Sequence, residues 1–393
     1  MNNLLIRIDA QKVLIFALIY YGFSIYFDIL FYDITSIHIF LNRAPDYYPS
    51  TLYFYSWIIP TIFSLVSIFI LSAFEPKEII IENSNLHNDV SIFIPIGYAI
   101  YFFILLIILP SADNRAAVFL SINEDFVLIS WLLPIVIWTN CFSILVEKTK
   151  LRVFLAFFLI LLVSLTLVDR SYLLMGVMAL LFRIKRLNLF LLIFLTIIGF
   201  IVVTYWKVVL FWLVFGVDLE ASLVNVQPGL ARFEAITSQS IFVNCIEFGH
   251  CKAIDFGTFV ESTLGRIAPS FIYQSDIPTT QIRYITEFFP QIANKGGGLG
   301  YSLVAEFALV MGNLAGPWML SIYIVTLLII IRLSKSPFIS FIFAVYFLRF
   351  LRVDFGTGIK AIFVFGFLSL LLYYVMPYLV ILLRSVLRTK SNA

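Results

Sequence analysis

The chain has 393 residues, of which 62% are apolar and only 12% charged, and its mean hydropathy is +1.02. A soluble domain is nearer half apolar and about a quarter charged, so a water-soluble fold is excluded and a lipid bilayer is needed to cover the excess hydrocarbon. The net charge of +3 is spread without a basic stripe, which excludes nucleic acid as a partner.

A spanning helix needs about 20 apolar residues. Along the chain such segments are predicted at 12–32, 53–74, 91–109, 126–146, 152–168, 171–183, 188–206, 301–331, 337–353 and 360–383. The reading is an all-α polytopic membrane protein of about ten transmembrane helices with one long outward loop. It divides into helices one to seven (1–206), the loop (207–299) and helices eight to ten (300–393). The short basic start, Met1 to Lys12, leads into an apolar run that is too long and lacks a small-residue cleavage site, so no cleavable signal peptide is expected.

Orientation follows from the junctions. Arg7, Lys12, Lys77, Lys148, Lys150, Arg152, Arg183, Lys185, Arg186, Arg332, Lys335, Arg384, Arg388 and Lys390 all fall on one side. The short turns and helix ends opposite hold Arg43, Arg115, Arg170, Arg349, Arg352 and Lys360. The positive-inside rule then places both termini in the cytoplasm and residues 207–299 outside. That loop opens with the apolar Lys207 to Val217, which suits a helix lying at the interface. It also holds Cys245 and Cys251, six apart; in an oxidising compartment they form a disulfide, otherwise they are two free thiols. Cys141 reads as core packing. No internal repeat is found, which gives no support to a transporter of duplicated halves.

Two hairpins are short for a membrane. Between Arg152 and Arg183 lie 30 residues, about 45 Å of helix, whereas two crossings of a ~30 Å core need about 60 Å. The turn at Asp169-Arg170-Ser171 should therefore sit below the outer surface. From Pro337 to Arg352 is 16 residues, about 24 Å, which leaves Arg349 and Arg352 at or just under the same surface, with Asp354 following. A charge at such depth is costly unless it faces protein or water, so the expectation is a water-filled cavity open to the outside.

Arg170 and Arg352 each read either as a phosphate ligand, for which a planar fork is suited, or as a partner in an internal ion pair. Arg349 reads either way or as a snorkelling side chain. Lys295-Gly-Gly-Gly-Leu-Gly-Tyr-Ser302 opens the eighth span, where Gly298 and Ser302 either hold a phosphate or glycan at a helix N-terminus or belong to a hinge. Glu306, two turns on, is a general base or a charge partner for an arginine. In the loop, Arg266 and Arg283 lie among Tyr273, Tyr284, Phe288 and Phe289, a setting for sugars and phosphates or simply solvated surface, as are Arg232 and Glu287. His250, beside Cys251, reads as structural. No HExxH, Walker, nucleophile-elbow, zinc-spacing or Asp-x-Asp pattern occurs, so no metal and no cofactor are expected.

The run Gly296-Gly-Gly-Leu-Gly-Tyr-Ser-Leu-Val-Ala-Glu306, continuing to Gly312 and Gly316, resembles the glycine–serine–glutamate segment of bacterial O-antigen polymerases of the Wzy type. The Asp169-Arg170-Ser171 hairpin and the Arg352-Val-Asp354 turn are similar too. The arginine–ten residues–glycine pattern of some members does not recur, since Ile277 and Asn294 follow Arg266 and Arg283 at that spacing. The resemblance implies a GT-C-like membrane glycosyltransferase in the inner membrane. It would transfer a growing glycan from undecaprenyl pyrophosphate onto a lipid-linked repeat unit on the periplasmic side, alongside a chain-length regulator protein. In that reading Arg170 and Arg352 hold pyrophosphate with help from Arg266 and Arg283, and Glu306, Asp354 or Glu287 is the base or orienting acid. O-antigen ligase and a polysaccharide flippase are the alternatives. A flippase would show short loops and a repeat, whereas a ligase shares the large loop.

Overall fold

The structure is a computed structural model. It describes residues 5–7, 9–31, 48–73, 92–111, 121–122, 125–167, 170–184, 186–188, 234–268, 273, 275–290, 300–334 and 336–375. Within these, the chain is helical apart from a three-residue antiparallel pair, β1 (Leu5–Arg7) and β2 (Arg186–Asn188), with Ile6 opposite Leu187.

The helices in chain order are α1 (Ala10–Phe31), α2 (Thr51–Ala73), α3 (Phe93–Phe103), α4 (Val127–Val146), α5 (Lys150–Thr166) and α6 (Arg170–Ile184). There follow α7 (Glu234–Phe242), α8 (Phe256–Ile267), α9 (Thr280–Phe288), α10 (Leu303–Met311), α11 (Ala315–Ser334), α12 (Pro337–Phe350) and α13 (Phe355–Lys360). π-helical turns prolong α3, α7 and α13. Thr51–Ala73, Leu128–Val146, Ala315–Ser334 and Phe355–Val375 are long and apolar enough to cross a membrane, and shorter apolar helices accompany them. On α2, Ile62, Leu65, Val66, Phe69 and Ile70 are exposed, as a lipid-facing helix requires.

The chain forms two compact units, each built from separate stretches of sequence. The first comprises Met1–Ile8, Ile80–Gln227 and Phe363–Ala393, the second Asp9–Ile79 and Pro228–Ile362. In the first, α4 packs against α3, α5 and α6. Gly97 permits this closeness: a Cβ there would lie 2.3 Å from Leu159 Cδ2 and 2.8 Å from Val136 Cγ1. Arg183 donates to the Ile144 carbonyl at 2.8 Å, closing a helix end that is otherwise short of donors, and Arg152 pairs with Glu147 across the α4–α5 turn at 3.3 Å.

In the second unit α1 packs on α2, α7 and α12, and α2 packs on α11. Polar tips tie these apolar faces together: Tyr53 Oη donates to the Gly22 carbonyl at 3.3 Å, and Trp318 Nε1 to Tyr55 Oη at 2.8 Å. Ser50, which precedes α2, donates to Glu247 through both its amide and its hydroxyl.

The short hairpins persist in three dimensions. Helices α5, α6 and α12 have 17, 15 and 14 residues, about 25, 22 and 21 Å, each less than a ~30 Å core. The eighth span differs from expectation: residues 301–331 are two helices, broken at Gly312, whose φ of 89° a side chain rarely adopts. The chain reverses there, and α10 lies against the start of α11. A Cβ on Gly316 would stand 2.6 Å from Ala308 Cα. The last span starts at Phe355, earlier than the residue 360 read from hydropathy. Beyond Asn188, which belongs to β2, the expected span 188–206 lies outside the described residues, as do the interfacial helix 207–217, the stretch 291–299 with Gly298, and Asp169 and Arg232.

Candidate functional site: the junction of α9, α10 and the α12–α13 turn

Three helix starts converge in the second unit, each announced by a short polar residue at its N-cap. Thr279 accepts from the Ile282 amide at the start of α9, Ser302 from Ala305 at α10, and Asp354 from Thr357 at α13. Such residues satisfy amides that the first helical turn leaves without partners. The loop's return is stitched to the end of α12 by the Tyr301 amide on the Arg352 carbonyl at 2.6 Å and the Leu303 amide on Leu351 at 3.4 Å.

Glu306 sits at the centre, 2% exposed. Its Oε1 accepts from Thr280 Oγ1 at 2.6 Å and its Oε2 from the Phe355 amide at 2.7 Å, so one carboxyl joins the first residue of α9 to the start of the last apolar helix. Helix α10 does not itself span, and burial, with the Asp354 carboxylate nearby, pushes the Glu306 acid well above the usual carboxylate range. Asp354 is buried and accepts twice from Thr357, at 2.7 Å from the amide and 3.1 Å from the hydroxyl. The same hydroxyl accepts from Arg266 Nε at 3.2 Å, which fixes the guanidinium of α8 beside α13. Gly356 makes room for it, since a Cβ there would meet Arg266 Cβ at 3.2 Å and Thr263 Cα at 3.3 Å.

Ser302 is fully buried and donates to Gln239 Oε1 of α7 at 3.5 Å. The amides of Leu303, Ala305 and Glu306 all donate to protein oxygens; most of the α10 N-terminus is already satisfied, and what remains for an anion at this junction is side-chain cations. Arg352 is half-buried and within electrostatic reach of Tyr20 and Tyr21 on α1. Lys360, on the same helix as Thr357, is within reach of Arg266. Arg283 and Glu287 are exposed on α9; that helix is anchored by Tyr284, which accepts from Asn244 Nδ2 at 3.2 Å and packs its ring on Phe288 and Tyr301.

Of the residues singled out from sequence, the structure gathers Ser302, Glu306, Asp354, Arg352 and Arg266 around one junction. Arg170 opens α6 in the other unit, and its side chain lies outside the described residues. Cys245 and Cys251 are joined in a disulfide, and His250 beside it stacks on Phe288. Closing so small a loop contributes about 2 kcal/mol on a chain-entropy model. Cys251→Ser is thus expected to lower unfolding stability in detergent by about that amount, measured against wild type with and without reductant; equal stability of all samples would exclude it. Sequence reasoning missed Thr280, Thr357 and Gln239. The spacing Asp354-x-x-Thr357 is a cap signature that marks one of them; nothing local marks the other two, whose partners lie 26 and 63 residues away.

Comparison of the chain with family models, curated proteins and solved structures finds no match.

Proposed function

We propose that this chain is a membrane glycosyltransferase of the O-antigen polymerase kind, in the bacterial inner membrane with both termini cytoplasmic. The observation that carries this reading is the pairing of Tyr301 with Arg352: it joins an arginine in the turn just past a helix too short to cross the bilayer to the segment that closes the long loop. A polyprenyl diphosphate presents its charge at that depth, and arginine forks neutralise it.

In the proposed reaction the acceptor sugar's hydroxyl oxygen bonds to the anomeric carbon of the growing glycan. The bond from that carbon to the diphosphate oxygen breaks, undecaprenyl pyrophosphate departs, and the hydroxyl proton goes to a base. Neutralising the leaving group stabilises charge where it develops. Arg352 is assigned to the diphosphate, with Arg266 and Arg283 assisting. Both oxygens of Glu306 and of Asp354 are engaged by internal donors, which suits orienting roles, whereas Glu287 is exposed and suits proton acceptance. A chain-length regulator is the expected protein partner.

The test is genetic and biochemical. Deletion should collapse lipopolysaccharide from a ladder to core plus one repeat unit, whereas loss of every O unit would point to ligase or flippase. Arg352→Ala should abolish polymer while membrane insertion is retained. Unchanged ladders would remove that arginine from the mechanism.

A further inference from the structure

Helix α8 has three faces where a loop helix needs two. At 3.6 residues per turn, Phe259, Ser262, Thr263 and Arg266 share one side. This is the side that packs on α13: Phe259 lies 5.5 Å from Phe355 between ring centroids, and Gly356 admits Thr263 and Arg266. A second sector carries Gly257 and Glu261, both exposed. The third, about 80° wide, carries only apolar side chains at intervals of four: Phe256, Val260 and Leu264, which are 60%, 37% and 50% exposed.

A helix wholly in water would present polar residues over both open sectors. Helix α9 does so, showing Arg283, Thr286 and Glu287 to solvent with Ile282 as its single exposed apolar side chain. A helix on the boundary between water and hydrocarbon needs one wet and one apolar open face. The location agrees. The partner of α8 is the first turn of Phe355–Val375, a helix long and apolar enough to cross a membrane, so α8 lies at the end of a candidate span.

We infer that α8 is an interfacial helix whose Phe256–Val260–Leu264 stripe is seated in the acyl chains of the outer leaflet. The bilayer holds the helix along the membrane plane and keeps Arg266, clamped to Thr357, at the depth of lipid headgroups. The inference rests on the packing and exposure of α8 rather than on the proposed reaction, so its failure leaves the polymerase reading untouched, and loss of that reading leaves the interfacial helix in place.

The experiment uses the full chain in phospholipid nanodiscs, with the Cys245–Cys251 bridge intact and Cys141 buried. Nitroxide labels are placed singly through Phe256→Cys, Val260→Cys and Leu264→Cys, with Glu261→Cys and Thr286→Cys as wet references. Collision with molecular oxygen is expected to exceed collision with a water-soluble nickel chelate several-fold at the three stripe positions, and the order should reverse at the references. Nickel access at the stripe equal to that at Glu261→Cys would overturn the inference in favour of a free aqueous face. Exclusion of both reagents, with cysteine cross-linking between two copies, would overturn it in favour of a protein contact.

Discussion

Replacing Glu306 by leucine is expected to cost about 2–6 kcal/mol of unfolding stability. The Thr280 hydroxyl and the Phe355 amide both donate to this carboxyl, and each buried donor left without an acceptor costs about 1–3 kcal/mol. Glu306→Gln should be tolerated far better, because the folded acid keeps its proton well above the usual carboxylate range, and the amide oxygen can accept from Phe355 while the NH2 donates to the Thr280 hydroxyl, at the cost of one further N–H. The sign of the linkage follows. An acid whose pKa is raised by folding contributes stability that is fully present below its unfolded value and is lost as pH rises through the folded one. Wild-type stability should therefore decline over that interval, while Glu306→Gln flattens the profile. Thermal unfolding in detergent across pH measures both effects. If Glu306→Gln folds yet makes no polymer, Glu306 acts on the reacting proton and its assignment as an orienting group is wrong.

Gly316→Ala should have the next largest effect, about 1–3 kcal/mol, from one methyl group. The added Cβ would stand 2.6 Å from Ala308 Cα and 2.7 Å from its amide nitrogen, and neither backbone can rotate aside as a side-chain tip would. The helices α10 and α11 must part, which moves Ser302 and Glu306 together. Loss of stability and of the polymer ladder are expected together. Leu314→Ala, two residues away at a site 70% exposed, should change neither. A Gly316→Ala protein as stable as wild type would mean that the helical hairpin is not packed as described.

The apolar helices were legible because hydropathy is a local property. Thr51–Ala73 and Val127–Val146 lie within a residue or two of their expected bounds, and the short hairpins could be counted between basic flanks. Gly312 was not legible as a break, since apolar residues continue on both sides of it and only its positive φ reveals the reversal. The early start of α13 was hidden by Gly356 and Gly358, which lower helical propensity but serve close packing against Arg266 and Tyr346. Within the candidate site, the residue types were readable and their partners were not. Glu306 reads from sequence as a base or, by preference, a charge partner for an arginine, whereas its donors are a threonine hydroxyl from the loop and an amide from the next hairpin. Hydrogen bonds between segments so distant leave no periodicity in the chain.

The two main-chain rungs from Tyr301 and Leu303 to residues 352 and 351 have a mechanical corollary. They make the loop's exit and the hairpin's crest a single lever, so neither can be displaced without dragging its mate or snapping both rungs.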